Sequence, residues 1–169
     1  AALYNPILDV LADHKPKTLA QLERALGSEG VTFAQIVQAV LVLSHSATLV
    51  AVQDEAIIPK AKKHTEKLNA WLMNKSRSSA EVSYLASPVS GGGILVGRFQ
   101  QLFLLALSDG QKLPAEWAKF AWTVIQAQGS KLVKEDKTLE TEESIAELST
   151  QAIEFAAKRL PVLKALQVI

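Results

Sequence analysis

The segment from Arg98 to Leu107, "RFQQLFLLAL", constrains the fold more than any other stretch. At helical spacing Phe99, Leu102, Phe103, Leu105 and Ala106 point in nearly every direction around the axis. A helix that is apolar all round has no solvent face of its own, so other elements must enclose it. The chain has the material to do so. It has 169 residues, 49% of them hydrophobic and 21% charged, enough for one good core or for two small units packed together.

The surrounding elements can be read from caps and periodicity. Asn5-Pro6 opens a helix carrying Ile7, Leu8 and Leu11. Thr18 is an N-cap for "LAQLERALG", with Leu19, Leu22 and Leu26 on one face and Gly27 at the end. Thr32 and Gln35 form a capping box ahead of "FAQIVQAVLVLSHS". "TLVAV" and "AIIP" read as two strands around the polar turn Gln53-Asp54-Glu55. Three helices followed by a hairpin describe a winged helix-turn-helix over residues 1–60.

Residues 61–169 read as a helical subdomain with a short β-hairpin. A helix from about Ala61 to Lys75 carries Leu68, Trp71 and Leu72. "VSYLAS" and "ILV" are strands on either side of Pro88 and Gly91–Gly93. A helix from Pro114 presents Trp117, Phe120, Ala121 and Val124 and stops near Gly129. After an acidic loop, a last helix runs from about Thr141 and ends or bends near Pro161. The expected class is therefore mainly α, within α+β. All three tryptophans fall at core spacing.

The winged-helix pattern raises DNA binding, and the residues argue against it. No Lys or Arg lies between Arg24 and Lys60. The third helix offers Phe33, Ile36, Val37, Val40, Leu41 and Leu43, whereas duplex binding needs cations for phosphates and Arg, Lys, Asn or Gln for bases. Such a helix is expected to pack against protein. A basic patch follows it: residues 60 to 77 hold six cations against the single acid Glu66, with Lys60, Lys63, His64 and Lys67 on one face. Residues 131 to 147 reverse the sign, with six acids against three lysines. Each patch reads first as a solvated face. The basic one also suits an acidic partner or nucleic acid, and the two suit each other, within a chain or between chains.

"SPVSGGGILVGR" (Ser87 to Arg98) resembles a phosphate-binding loop, but Arg98 stands where that loop needs Lys and Phe99 where it needs Ser or Thr. Nor is a dinucleotide fingerprint complete. The glycines fit a turn between strands, and Arg98 is expected to bond backbone carbonyls or an acid. His14, His45 and His64 lack metal-ligand spacing. No cysteine is present, which removes thiol chemistry and fits a reducing compartment. Net charge is +1 and no apolar run approaches a bilayer crossing, so no membrane partner is expected. No signal-peptide pattern opens the chain, and the expected compartment is the cytoplasm. The start at Ala1-Ala2-Leu3, without Met, suggests a piece of a longer protein.

"TLAQLERALG", "AQIVQAVLVLSHSATLVA", "YLASPVSGGGILVGRFQQLFLLAL" and "FAAKRLPVLKALQVI" together resemble the C-terminal winged-helix region of a family of S-adenosylmethionine-dependent methyltransferases. That family carries a methyltransferase regulatory domain and includes bacterial protein-lysine methyltransferases of outer-membrane proteins. The resemblance spans roughly Pro6 to Ile169, and its most specific part is the "LASPV…GGG…R" turn with "LFLLAL". It implies that S-adenosylmethionine binds a separate Rossmann-like domain, so no cofactor or catalytic residue is carried onto this segment. It implies a non-catalytic module partnered by the catalytic domain of the same chain, by a protein substrate or by a second copy. The residues it singles out are Ser87, Pro88, Gly91, Gly92, Gly93 and Arg98.

Overall fold

The computed structural model describes residues 3–169, and the chain divides into two compact units, the second running from Glu55 to Ile169. The chain is mainly helical with a small two-stranded hairpin, as its periodicity predicts.

The first unit is built from α1 (Tyr4–Leu11), α2 (Leu19–Leu26) and α3 (Phe33–His45). Both expected capping boxes form: the Thr18 and Thr32 hydroxyls accept from the amides of Gln21 and Gln35, whose side chains accept from the Thr amides in return. These caps satisfy orphan N–H groups and fix where each helix starts. A short turn ending at Gly30, whose φ is +70°, lets the chain bend by 120° between α2 and α3. The core of this unit is Ile7, Leu22, Leu26, Ile36, Ala39 and Leu43.

The expected wing is not formed. Ala47 takes a positive φ of 56°, and the amides of Thr48 and Leu49 both donate to the Leu43 carbonyl, closing the end of α3. These bonds use the groups that would have started a ladder. On the returning side Ile58 and Pro59 wind into the first turn of the next helix, α4 (Ile58–Lys75). Proline is accommodated there because its missing N–H would have no helical partner, whereas a paired strand would lose a donor.

In the second unit α5 (Arg98–Ser108) lies at the centre, with Gln101 through Ala106 all buried. Helices α4 and α6 (Pro114–Gln126) pack against it, and α7 (Thr141–Glu154) packs against α6. The strands β1 (Tyr84–Ser87) and β2 (Gly92–Leu95) pair antiparallel, with Leu85 opposite Ile94 and Ser87 opposite Gly92. Phe155 packs its ring against Phe103 and edge-on against Trp117, with centroids 5.7 and 6.3 Å apart.

Two more expectations need correction. The acidic stretch is not a plain loop: β3 (Val133–Lys134) and β4 (Lys137–Thr138) make a tight hairpin, with Glu135 and Asp136 both at positive φ. Such a turn is usually signalled by Asn-Gly or Asp-Gly, and "ED" is not a strong form of that signal. Trp117 and Trp122 are core residues at 3% and 6% exposure, but Trp71 is 59% exposed. Asn69 and Met73 face inward from α4, and Trp71 falls on the opposite side of the helix.

The bend expected near Pro161 is a π-helical turn, Phe155–Arg159, between α7 and α8 (Leu160–Ala165). The Leu160 amide donates to Phe155 five residues back. The wider turn accommodates a proline that lacks an N–H and would press on the carbonyl of Ala157 in a regular helix.

Candidate functional site

The glycine-rich turn comes first, because the sequence points to it most strongly. Ser87 is buried, and its hydroxyl donates to the Leu166 carbonyl at 2.7 Å while accepting from the amides of Val89 and Ser90. The Gly91 amide donates to the Ser87 carbonyl and the Gly92 amide to the Ser90 hydroxyl. Pro88 is buried at the head of the turn, Gly91 takes a φ of +71°, and Gly93 sits in β2 opposite Ala86. A phosphate cradle needs amides aimed at the ligand. Here the amides of residues 89 to 92 are all bonded inward, so the turn is a strand connection.

Arg98 does not join that turn. Its guanidinium donates to the carbonyls of Ser76 and Arg77 and, at 2.7 Å, to the Gln128 side chain. Gln128 in turn donates to Arg77. Arg98 thus closes the C-terminal end of α4, where carbonyls lack helical partners and the helix dipole favours a cation. The expectation of carbonyl bonding by Arg98 holds.

Lys60, Lys63 and Lys67 are exposed on α4, together with His64. The half-exposed Leu68 and Trp71 lie among them, and the Lys75 ammonium stands 5.4 Å from the centre of the Trp71 ring. A second exposed surface belongs to α3. Leu41 is 66% exposed, Phe33 and Val42 are nearly half exposed, and Val50 and Val52 follow in the adjoining segment. Neither Lys nor Arg occurs anywhere along it.

The acids of the hairpin region are partly engaged locally. Lys134 bonds Glu147 and Lys137 bonds Glu143. Each of these bonds holds its carboxyl below the ordinary glutamate value, and each lysine is correspondingly raised. Among the described residues, no three of His, Asp and Glu come together in a metal-holding group. An open depression lined by Arg77, Gln111, Glu116, Lys119 and Phe120 has its arginine engaged by Asp109 and by the Phe120 ring.

Sequence reasoning missed the polar residues that organise the second unit. Asn69 is buried on α4 and exchanges two bonds with Ala86 of β1, donating to its carbonyl at 2.8 Å and accepting from its amide at 2.7 Å. It also donates to the Val168 carbonyl. Buried Gln101 donates to the carbonyls of Val82 and Val96, on either side of the hairpin. The available signals were an amide at helical spacing from Leu72 and Met73, and glutamines within an otherwise apolar helix.

No model of a known protein family matches the chain, and no solved structure matches it. It is 36% identical over 162 residues to the uncharacterized protein sll1526 of Synechocystis sp.. That match covers 95% of this chain and 31% of the relative, so the chain spans about a third of the relative's length. Among the described residues, no single helix is long and apolar enough to cross a membrane.

Proposed function

We propose that the chain is a non-catalytic interaction module of a larger S-adenosylmethionine-dependent methyltransferase of the cytoplasm, acting through protein contacts. The observation that carries the interaction reading is the exposed face of α3. Phe33, Leu41 and Val42 stand in solvent on a surface without Lys or Arg, and a surface of that kind suits a protein neighbour better than a polyanion. The methyltransferase part rests on the resemblance carried by the glycine-rich turn and α5. In this reading S-adenosylmethionine binds a catalytic domain elsewhere in the polypeptide. The module positions a protein substrate there or covers the active site.

Two measurements test this. Calorimetric titration of the 169-residue chain with S-adenosylmethionine is expected to show no heat of binding; micromolar affinity would overturn the non-catalytic reading. In the longer parent protein, Leu41→Glu is expected to reduce methyl transfer while leaving the fold intact. Unchanged transfer would remove the role given to α3. A low-salt gel shift with duplex DNA covers the alternative, a winged-helix transcription regulator. That alternative would require Lys60, Lys63 and Lys67 to carry the binding, because α3 offers no Lys or Arg.

A further inference from the structure

We propose that the outer face of α4 binds the acidic 131–147 segment of a second copy of this chain. The contact uses none of the α3 residues and does not depend on the methyltransferase reading.

One side of the contact is a stripe. Lys60, His64, Lys67, Trp71 and Lys75 recur at three- and four-residue steps, so they lie along one side of the helix. This is the side opposite Asn69 and Met73, which face the core. Trp71 is more exposed than buried, with Leu68 beside it, and the acid of this helix, Glu66, points away from the stripe toward Lys62. A large indole left in water on a strongly basic helix face is unfavourable in isolation, even with the Lys75 ammonium over its ring. It has the make-up of an interface anchor: an aromatic centre with a charged rim.

The other side has the complementary make-up. Glu135 and Asp136 project from the tip of the β3–β4 hairpin, Glu140 and Glu142 stand at the start of α7, and all four are exposed. Val133, 64% exposed, lies beside them as an apolar counterpart to Trp71. Within one copy the two segments do not neutralise each other. The ion pairs of the acidic segment go to its own Lys134 and Lys137, that of α4 runs from Lys62 to Glu66, and among the described residues none joins the two segments. Each copy therefore presents both halves of a contact. A two-fold arrangement would form that contact twice, with charge setting orientation and rate and the Trp71 ring supplying the holding energy. Duplex DNA or an anionic bilayer would engage the lysines but would leave the acidic half and Val133 without a role.

Sedimentation velocity of the 169-residue chain tests the contact. At about 50 mM salt the chain is expected to dimerise at micromolar concentration, and at about 500 mM the affinity should fall at least tenfold, because exposed charges are screened. Lys60→Glu/Lys67→Glu and Glu135→Lys/Glu142→Lys are each expected to be monomeric alone and to form a dimer when mixed one to one. Trp71→Ala should weaken association about tenfold, in line with loss of an aromatic anchor. Circular dichroism establishes that each variant keeps its fold. The proposal is overturned by a chain that stays monomeric at low salt, by charge-reversed variants that dimerise like the original, or by a mixture that does not associate. It is also overturned if the monomer binds duplex DNA or phosphatidylglycerol vesicles at low salt and Lys60→Glu/Lys67→Glu abolishes that binding, for then the stripe serves a polyanion.

Discussion

Helices α5 and α3 have similar apolar sequences and opposite fates. From Gln101 to Ala106, α5 is buried on every side, and Gln101 is the one polar residue in that run. In α3 only Ile36, Ala39 and Leu43 are buried, while Phe33, Leu41 and Val42 remain in solvent. The difference lies in what each unit can supply. The second unit has several helices and a hairpin around the core that holds α5, whereas among the described residues of the first unit α1, α2 and a few flanking residues share a core with one side of α3. Apolar composition therefore states a demand for burial, and the number of available neighbours decides whether the chain meets it internally. Where it does not, the unmet part is a surface for something else.

That contrast can be broken at its strongest point first. Leu102→Ala, in the middle of α5, is expected to cost about 3–5 kcal/mol, because the enclosed site has little freedom to collapse around the lost volume. Urea denaturation followed by tryptophan fluorescence reads this in the second unit, where all three tryptophans lie. A loss under about 1 kcal/mol would show that α5 is far less tightly enclosed than described. Asn69→Leu comes next, at roughly 2–4 kcal/mol, since it strands the amide and carbonyl of Ala86 and the carbonyl of Val168. Hydrogen exchange at Ala86 should accelerate in that variant before exchange in α5 does. Arg98→Ala should cost about 1–2 kcal/mol through the carbonyls of Ser76 and Arg77, and Arg98→Lys should recover only part, because an ammonium does not reproduce the guanidinium fork.

On α3 the contrast runs the other way. Leu41→Glu is expected to change thermal stability by no more than about 0.5 kcal/mol, since the side chain already stands in water. A large loss there would show that Leu41 contributes to the fold. The smallest effect concerns pH. Glu143 and Glu147 have folded-state values held below the ordinary glutamate value by Lys137 and Lys134. Their stabilising contribution is thus fully present above the ordinary glutamate range and is lost as pH falls through the depressed folded values. A shallow decline in melting temperature on acidification, smaller in Lys134→Met/Lys137→Met, is the expected outcome. Three of the four side chains are exposed and Glu147 is only partly covered, which keeps the effect small.

Much of this fold was legible from local chemistry. Thr18 with Gln21 and Thr32 with Gln35 announce helix starts because a side-chain cap is a three-residue event, and Pro114 and Pro161 act through their own missing N–H. The wing was misread because Thr48 and Leu49 had a competing acceptor in the Leu43 carbonyl, which no period-two pattern reveals. Trp71 was misread for a related reason. Its spacing from Leu68 and Leu72 fits a helix, but spacing does not say which side of that helix faces the core. The side was decided by Asn69, whose partners lie 17 and 99 residues away. At the glycine-rich turn, the three glycines announce a bend but not where its amides point.

Those same bonds bear on when the second unit can finish folding. Ser87 and Asn69 hold the carbonyls of Leu166 and Val168, which lie 79 and 99 residues further along the chain. A ribosome extending the polypeptide at about 5–20 residues per second exposes both donors seconds before their acceptors exist. Until then the hydroxyl of Ser87 and the amide of Asn69 must be satisfied by water. The hairpin and α4 are thus made early and fastened late, by the last few residues of this segment to emerge.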